Sequence, residues 1–160
     1  MIIYRFLGAG GILFSGLWLY FVREGFYKQR GAQLDAYIKL FTYIKNQIEC
    51  YMLPIDRILY DCDPKILKEC GLTSNKNISN IKDLLNHSTF YVGDDIISSL
   101  YSFTDEFGVS YLPEQIKLCD KFLIELKEIR ENNKNQRIKD KKLSFAICMS
   151  LSLSLILILI

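Results

Sequence analysis

The sequence predicts an all-α protein in which a helical domain lies between an N-terminal and a C-terminal transmembrane helix. Three observations lead to this prediction. An uncharged apolar run lies near each end of the chain, apolar residues next to each run recur at helical spacing, and no segment shows convincing strand alternation. We place the first transmembrane helix at residues 1–22, the helical domain at 23–142 and the second transmembrane helix at 143–160.

The two apolar runs, residues 6–22 and 143–160, contain no Asp, Glu, Lys or Arg. About 20 residues at 1.5 Å each cross the hydrocarbon core of a bilayer, so both runs are near the required length. Trp18, Tyr20 and Phe21 suit the interface at the end of the first run. A cleaved signal peptide is the alternative for the first run, although no small-residue cleavage site follows it. A buried core helix is the alternative for the second run.

Basic residues flank both runs on the side of the central domain, with only Arg5 outside. Because Lys and Arg stay on the cytoplasmic side, we expect the domain in the cytoplasm and both termini across the cell membrane. These residues could contact anionic lipid headgroups, or they could form a solvated flank that stops translocation. They are Arg23, Lys28 and Arg30 after the first run, and Lys134, Arg137, Lys139, Lys141 and Lys142 before the second.

Small residues occur at intervals within both predicted transmembrane helices. A spacing of four residues places two small side chains on one face, where another helix can approach closely. These positions predict helix association inside the bilayer, and self-association is one form that it could take. They are Gly8, Gly11, Ser15 and Gly16 in the first helix, and Ser150 and Ser154 in the second.

Within the central domain, two long amphipathic helices are predicted to pair antiparallel, with short helices capping their far end. Pro54, Asp63 with Pro64, and Asp94 with Asp95 are expected to begin helices, while Gly71 and Gly108 are expected to end them. Residues 73–77 read as a polar loop. The apolar positions of the first long helix are Leu34, Tyr37, Phe41, Ile44, Ile48 and Tyr51. Those of the last helix, which starts near Pro113 and continues to the chain end, are Leu112, Ile116, Cys119, Leu123 and Leu126.

Residue patterns that would carry chemistry are lacking. His87 is the only histidine, the five cysteines have no zinc-binding spacing, and no phosphate-binding loop occurs, so we predict no catalytic, metal-binding or cofactor-binding residues. The acidic pairs, Asp94 with Asp95 and Asp105 with Glu106, are explained by helix starts and solvated faces. A net charge of +2 argues against nucleic-acid binding. A membrane enzyme that uses the acidic pairs is the alternative.

Several short motifs occur in a fixed order between the two apolar runs. They are Gly8 and Ala9; Arg30, Gln33 and Leu34; Ile48, Tyr51, Pro54 and Ile55; Phe107 and Gly108; Gln115; and Lys142, Leu143 and Ser144. In this combination the chain resembles the stage III sporulation protein AB family. It departs from the family at residues 109–113, where a second Gly and an Asp often follow Phe-Gly.

The resemblance implies a fold similar to the cytoplasmic domain of type II secretion F-type platform proteins. It also implies a non-enzymatic membrane component of the channel-like assembly that joins mother cell and forespore, placed in the mother-cell membrane facing the forespore. The implied partners are a cytoplasmic AAA ATPase and neighbouring membrane and ring-forming subunits. The alternative is a membrane-anchored regulator or sensor outside sporulation, with residues 73–77 as its contact site.

For a docking protein, the charged residues of the domain and its flanks are the candidates for contact with a partner or with lipid. Charges at the rim of an interface steer a partner more than they hold it. The candidates are Arg30, Asp94, Asp95, Asp105, Glu106, Lys134, Arg137, Lys139, Lys141 and Lys142.

Overall fold

The computed structural model describes residues 2–73, 78–107 and 111–159 of the 160-residue chain. These residues form helices without a strand, and Leu72 and Ser88 make an isolated antiparallel bridge. The all-α prediction is therefore confirmed. The helices are α1 (Ile2–Tyr51), α2 (Ile55–Tyr60), α3 (Pro64–Glu69), α4 (Ile81–Asn86), α5 (Asp94–Phe107) and α6 (Leu112–Leu159).

The chain divides into two compact units. Gln29–Glu131 forms the core unit, and Met1–Lys28 with Asn132–Ile160 forms the terminal unit. Across the described residues, no helix combines the length and the apolar character that crossing a membrane requires. The two transmembrane helices and their ends at residues 22 and 143 stay predictions.

The core unit is built on the apolar face of α1. Leu34, Tyr37, Phe41 and Ile44 are fully buried, as the heptad spacing predicted, and Ile48 is almost so. Tyr51 contradicts the prediction, since 68% of its surface is exposed. It is the last residue of α1, and the chain leaves the helix at Met52, which has a φ of 52°. The helical spacing of apolar residues continues to Tyr51, but no other described helix covers Tyr51.

Within the core unit, α1 and α6 run antiparallel. Asp35 of α1 pairs with Arg130 of α6, and Lys45, further along α1, pairs with Asp120, earlier in α6. The predicted face of α6 is confirmed at three buried positions: Cys119, Leu123 and Leu126. Leu112 differs, because it begins the helix and is exposed.

Local capping chemistry explains where the short helices begin and end. The Asp63 carboxylate accepts a hydrogen bond from the Lys65 N–H at 2.9 Å, and Pro64 occupies the first helical position of α3. Gly71 follows α3 with a φ of 104°, which confirms it as a stop. Pro54 is the N-cap of α2 rather than a residue of its first turn.

The other predicted boundaries are met in part. The Asn80 side chain caps α4 by accepting from the Asp83 N–H at 2.7 Å. Helix α5 begins at Asp94 as predicted. Gly108, the predicted end of α5, lies outside the described residues, as do residues 74–77 of the predicted loop and residues 109–110 of the turn where the chain departs from the family.

The terminal unit also contains an antiparallel helix pair. The Tyr20 ring meets the Phe145 ring edge-on at 5.9 Å, and Glu24 faces Lys141 at 3.8 Å. Of the predicted helix-packing positions, Gly11 borders open space, since a Cβ atom there would meet nothing within 4 Å. Ser150 and Ser154 donate hydrogen bonds to carbonyls of their own helix. Helix association through these positions, Ser15 and Gly16 included, stays a prediction, and the surroundings of Gly8 are outside the described structure.

Candidate protein-interaction surface

A buried amide on α1 fixes the position of the segment that leads into α5. Gln33 is 2% exposed, and its Nε2 donates to the carbonyls of Cys70 at 2.9 Å and Thr89 at 2.6 Å. Its Oε1 accepts from the backbone N–H groups of Tyr91 at 2.6 Å and Val92 at 3.2 Å. An amide side chain has two donors and two acceptor sites, so Gln33 is fully satisfied. We call these contacts the Gln33 junction.

Gly71 leaves the room that the Gln33 junction needs. A Cβ atom on Gly71 would collide with the Thr89 carbonyl oxygen and would lie 2.6 Å from Gln33 Nε2. Its φ of 104° also disfavours any residue with a side chain. Gly71 therefore both ends α3 and allows the close approach of residues 70 and 89 to α1.

Two of the predicted contact residues meet at the start of α5. A Cβ atom on Gly93 would lie 2.9 Å from Arg30 Nη2 and 2.5 Å from Asp95 Oδ1. Arg30 is half-buried, and its Nε is buried without a hydrogen-bond partner among the described residues. The guanidinium thus packs against the first turn of α5, while Asp94 and Asp95 are exposed there, where the helix dipole favours acidic groups.

Helix α5 has an apolar inner face and an acidic outer face. Ile96, Leu100, Phe103 and Phe107 are buried, whereas its charged residues are all acidic and exposed: Asp94, Asp95, Asp105 and Glu106. Asp105 accepts a hydrogen bond from Lys82 Nζ of α4 at 2.9 Å, and this bond raises the pKa of the Lys82 ammonium. The charged residues that α5 itself contributes are therefore all acidic, and two of them lie close to basic groups of other helices: Asp105 to Lys82, and Asp95 to Arg30 across Gly93.

A groove of about 220 Å³ separates α5 from α6. Its floor is formed by Phe103 and Phe122, whose rings stack at 4.7 Å, and by Leu118. Its rim is polar and combines three hydroxyls, two carboxylates and one ammonium: Ser98, Ser99, Ser102, Glu106, Lys121 and Glu125. Ser99 Oγ donates to Glu125 Oε1 at 3.1 Å. Sequence reasoning missed this groove, because its lining comes from two helices that are distant in sequence.

The basic flank before the second apolar run does not act as one uniform patch. Arg137 donates a hydrogen bond to the carboxylate of Glu24, and Lys141 lies 3.8 Å from the same oxygen. Lys139 and Lys142 are exposed, as is Lys134, which has an interaction of its own. A cleft of about 20 Å³, the size of a single water, lies beside Glu24 and Arg137. Part of the predicted contact cluster therefore holds the terminal helix pair together.

The buried thiols are poor nucleophiles and poor metal ligands at neutral pH. Burial raises the pKa of Cys62 to about 11 and that of Cys119 to about 12, and it raises the pKa of Cys70 as well. Metal binding needs the thiolate form. Across the described residues, no group of three or more His, Cys, Asp or Glu is placed to hold a metal ion. His87 lies at the C-cap of α4, with Nδ1 2.8 Å from the Asp83 carbonyl oxygen.

Comparison with known families identifies the family of this chain. The sequence model of stage III sporulation protein AB (spore_III_AB) matches residues 5–160. The chain belongs to the stage III sporulation protein AB family. Its role is therefore related to sporulation. Searches of curated proteins and of solved structures returned no significant match.

The motif residues that suggested the stage III sporulation protein AB family have distinct structural roles. Gln33 forms the junction that precedes α5. Gln115 Nε2 donates to the Phe107 carbonyl at 3.1 Å and so joins the end of α5 to the first turn of α6. Tyr51 is exposed, three residues before Pro54. Gln33 and Gln115 therefore set the placement of α5, the helix that carries the exposed acidic residues.

Proposed function

We propose that this stage III sporulation AB protein is a non-enzymatic platform component of the assembly between mother cell and forespore. Its helical domain docks a cytoplasmic AAA ATPase, and its terminal helices associate with neighbouring membrane subunits of the same assembly. The observation that carries the docking part is the outer face of α5, where four exposed acidic residues lie on a helix without any basic residue. Acidic residues at an interface steer a partner of complementary charge and disfavour an acidic one.

The placement of α5 supports a docking role, because a docking surface works best when it is held rigid before binding. The Gln33 junction fixes the chain just before α5, and the Gln115 side chain binds the carbonyl of its last residue. The aromatic rings of Phe41, Phe103 and Phe122 pack beneath the helix, with centroids 4.7–4.9 Å apart. Both ends and the inner face of α5 are therefore constrained.

The proposed location is the mother-cell membrane, with the middle domain in the cytoplasm and both termini on the other side. Two features of the sequence support it: the uncharged runs at residues 6–22 and 143–160, and the basic residues that flank these runs on the side of the middle domain. A phosphatase that is active only outside the cytoplasm, fused after Ile160, tests the topology. We expect activity from this fusion and none from a fusion placed after Glu131. The reverse pattern would refute the proposed orientation.

The first experiment for function is a clean deletion in the source cell, scored by heat-resistant spores. We expect a large loss, with cells stopped after the forespore is enclosed, and rescue by the wild-type chain. Normal spore counts would reject the platform role and favour a membrane-anchored regulator outside the sporulation assembly.

Docking is tested by recovery of the ATPase with the full chain from sporulating cells. We expect less ATPase with Asp94, Asp95 and Glu106 changed together to the corresponding amides, since this removes charge and keeps size. The matched control replaces Glu49, Asp56 and Glu114, which are also exposed acidic residues, with their amides. Equal recovery with both sets would argue against the α5 face.

The basic flank is tested by reversing only its exposed members. Lys139 and Lys142 changed to Glu should weaken the association with membrane or partner subunits, because each loses about 1 kcal/mol of attraction to an anionic surface. Arg137 and Lys141 are left unchanged, since they bind Glu24. Lys117 and Lys127 changed to Glu on the same helix are the control.

A further inference from the structure

We propose that the groove between α5 and α6 binds one arginine side chain that projects from an apolar-flanked segment of a partner protein. This inference rests on the proposed docking function and names the chemistry that the docking surface recognises. The groove opens beside the acidic outer face of α5, so a partner attracted by that face would meet it directly.

The size of the groove fits one long side chain better than a free small molecule. Its volume is about 220 Å³, whereas pockets for small-molecule ligands run from about 300 to 1,000 Å³. Its floor is almost inaccessible to solvent and rigid, because Phe103 and Phe122 are 3% and 5% exposed and both pack edge-to-face on Phe41. A groove with such a floor exists before the partner arrives.

The apolar floor of the groove suits the stem of a long side chain, and the acidic rim suits its charged end. Leu118, the half-buried apolar residue of the lining, can contact a methylene stem, while Phe103 and Phe122 support the groove from below. Two carboxylates, Glu106 and Glu125, lie at the rim and can accept charged hydrogen bonds. Arginine has both an apolar stem and a flat charged head, and it is enriched at the energetic centre of protein interfaces.

Local hydrogen bonds prepare the rim to accept rather than to donate. The Ser98 hydroxyl already donates its proton to the Asp95 carbonyl at 2.8 Å, and the Ser99 hydroxyl donates to Glu125. A hydroxyl that has used its proton still offers oxygen lone pairs. The Ser99 bond also holds the Glu125 carboxylate in place. Ser98, Ser99 and the two carboxylates thus present acceptors to a group with many N–H donors, and the guanidinium has five.

Lys121 is the single basic residue of the rim. It lines the same groove as the two carboxylates that would bind the arginine, so its charge competes with a cationic partner. Removing this charge should strengthen binding, whereas removing the carboxylates should weaken it. The opposite signs of these two effects distinguish a cation site from a groove that is only apolar.

The test uses the full chain, ¹⁵N-labelled, in non-ionic detergent micelles, and two helical peptides as probes. Both are 16-residue Ala-based peptides with two Leu residues beside one central position, which is Arg in the first peptide and citrulline in the second. Citrulline keeps the shape and loses the charge. We expect the Arg peptide to shift amide signals of residues 98–106 and 118–125, and the citrulline peptide to bind about tenfold more weakly.

Three variants test which charges of the groove determine binding of the Arg peptide. Glu106→Gln with Glu125→Gln should weaken binding of the Arg peptide about tenfold. Lys121→Gln should strengthen it about two- to fivefold. Glu128→Gln changes the same charge on the same helix outside the groove and should leave binding unchanged. The amide spectrum of each free variant shows whether it is folded.

Equal affinity for both peptides, shifts outside the groove, or unchanged affinity in the double Gln variant would each overturn the proposal. Recovery of the ATPase from sporulating cells separates this failure from that of the docking function. Undiminished recovery with the double Gln variant refutes the arginine groove and leaves docking intact. No recovery with the wild-type chain refutes docking itself.

Discussion

The Arg130 guanidinium binds the Asp35 carboxylate through two parallel hydrogen bonds, Nε to Oδ1 at 2.6 Å and Nη2 to Oδ2 at 2.8 Å. This pair joins α6 to α1 across the core unit, and the hydrogen bond to Asp35 raises the pKa of Arg130. The guanidinium also lies over Gly31, where a Cβ atom would be 3.5 Å from Cζ. The two charges are only partly buried, so the contribution of the pair to stability depends on its bidentate geometry.

Arg130→Lys should lower the free energy of unfolding by about 1 kcal/mol, because an ammonium cannot make both parallel bonds. Urea unfolding followed by circular dichroism measures it. Arg57→Lys is the matched control, since Arg57 makes a single exposed contact with Asp61 at 3.8 Å and should change stability little. Equal losses of unfolding free energy in the two variants would show that the bidentate geometry adds nothing to stability.

Gln33→Ala should lower the free energy of unfolding by about 3 kcal/mol, since it strands two carbonyls and two N–H groups of the Gln33 junction. Amide hydrogen exchange of Tyr91 and Val92 should accelerate with it, because their acceptor is lost. Gln29→Ala, at an exposed position of α1, is the control. Slow exchange at Tyr91 in the variant would contradict the role assigned to Gln33.

Glycine substitutions should have opposite signs at two positions. Gly71→Ala should destabilise by about 3 kcal/mol, because the methyl group meets the Thr89 carbonyl and φ is positive. Gly25→Ala should stabilise by about 0.5–1 kcal/mol, since Gly25 lies inside α1 with open space around it. Thermal unfolding of both variants tests the pair, and a loss of stability in both would be inconsistent with this account.

Tyr37→Phe should leave stability unchanged or raise it by up to about 1 kcal/mol. The Tyr37 hydroxyl is buried without a partner among the described residues, so its removal relieves a desolvation cost. Tyr101→Phe is the comparison, because the Tyr101 hydroxyl donates to Asn86 Oδ1 at 3.0 Å. A larger loss for Tyr37→Phe than for Tyr101→Phe would reveal a partner for the Tyr37 hydroxyl.

Stability should fall as the pH rises above about 9. Burial raises the pKa of Cys62 from 9.0 to about 11 and that of Cys119 from 9.0 to about 12. Between these values the folded chain keeps thiol protons that the unfolded chain has released, so alkali favours unfolding. Urea unfolding from pH 8 to pH 11 measures the slope. Cys119→Ala should reduce the slope, whereas Cys50→Ala, at an exposed thiol, should not.

The sequence was sufficient for features that depend on neighbours along the chain. Helix boundaries depend on local hydrogen bonding and backbone conformation, as they do at Asp63 with Pro64, at Gly71 and at Asp94. The periodic apolar residues identified the buried faces. The predictions at Tyr51 and Leu112 were wrong because periodicity does not show where a packing partner ends.

Features that depend on distant residues could not be derived in this way. The Gln33 amide binds groups 37 to 59 residues away, so a polar residue inside an apolar face gave no sign of its partners. The groove between α5 and α6 likewise exists only after the two helices pack. Arg30 was predicted as a contact residue from its charge, but its half-buried position beside Gly93 follows from the placement of α5.

The pairing of α1 with α6 joins the first and the last helix that the ribosome makes. Phe41 leaves the ribosome long before Phe122, the ring that covers it. At about 5–20 residues per second, the apolar side of α1 waits several seconds for its partner. During that time part of the apolar side of α1 stays exposed on the nascent chain. A transcript truncated before Cys119 would yield a product in which Phe41 lacks the Phe122 ring, and the apolar surface left exposed favours aggregation over a partly active protein.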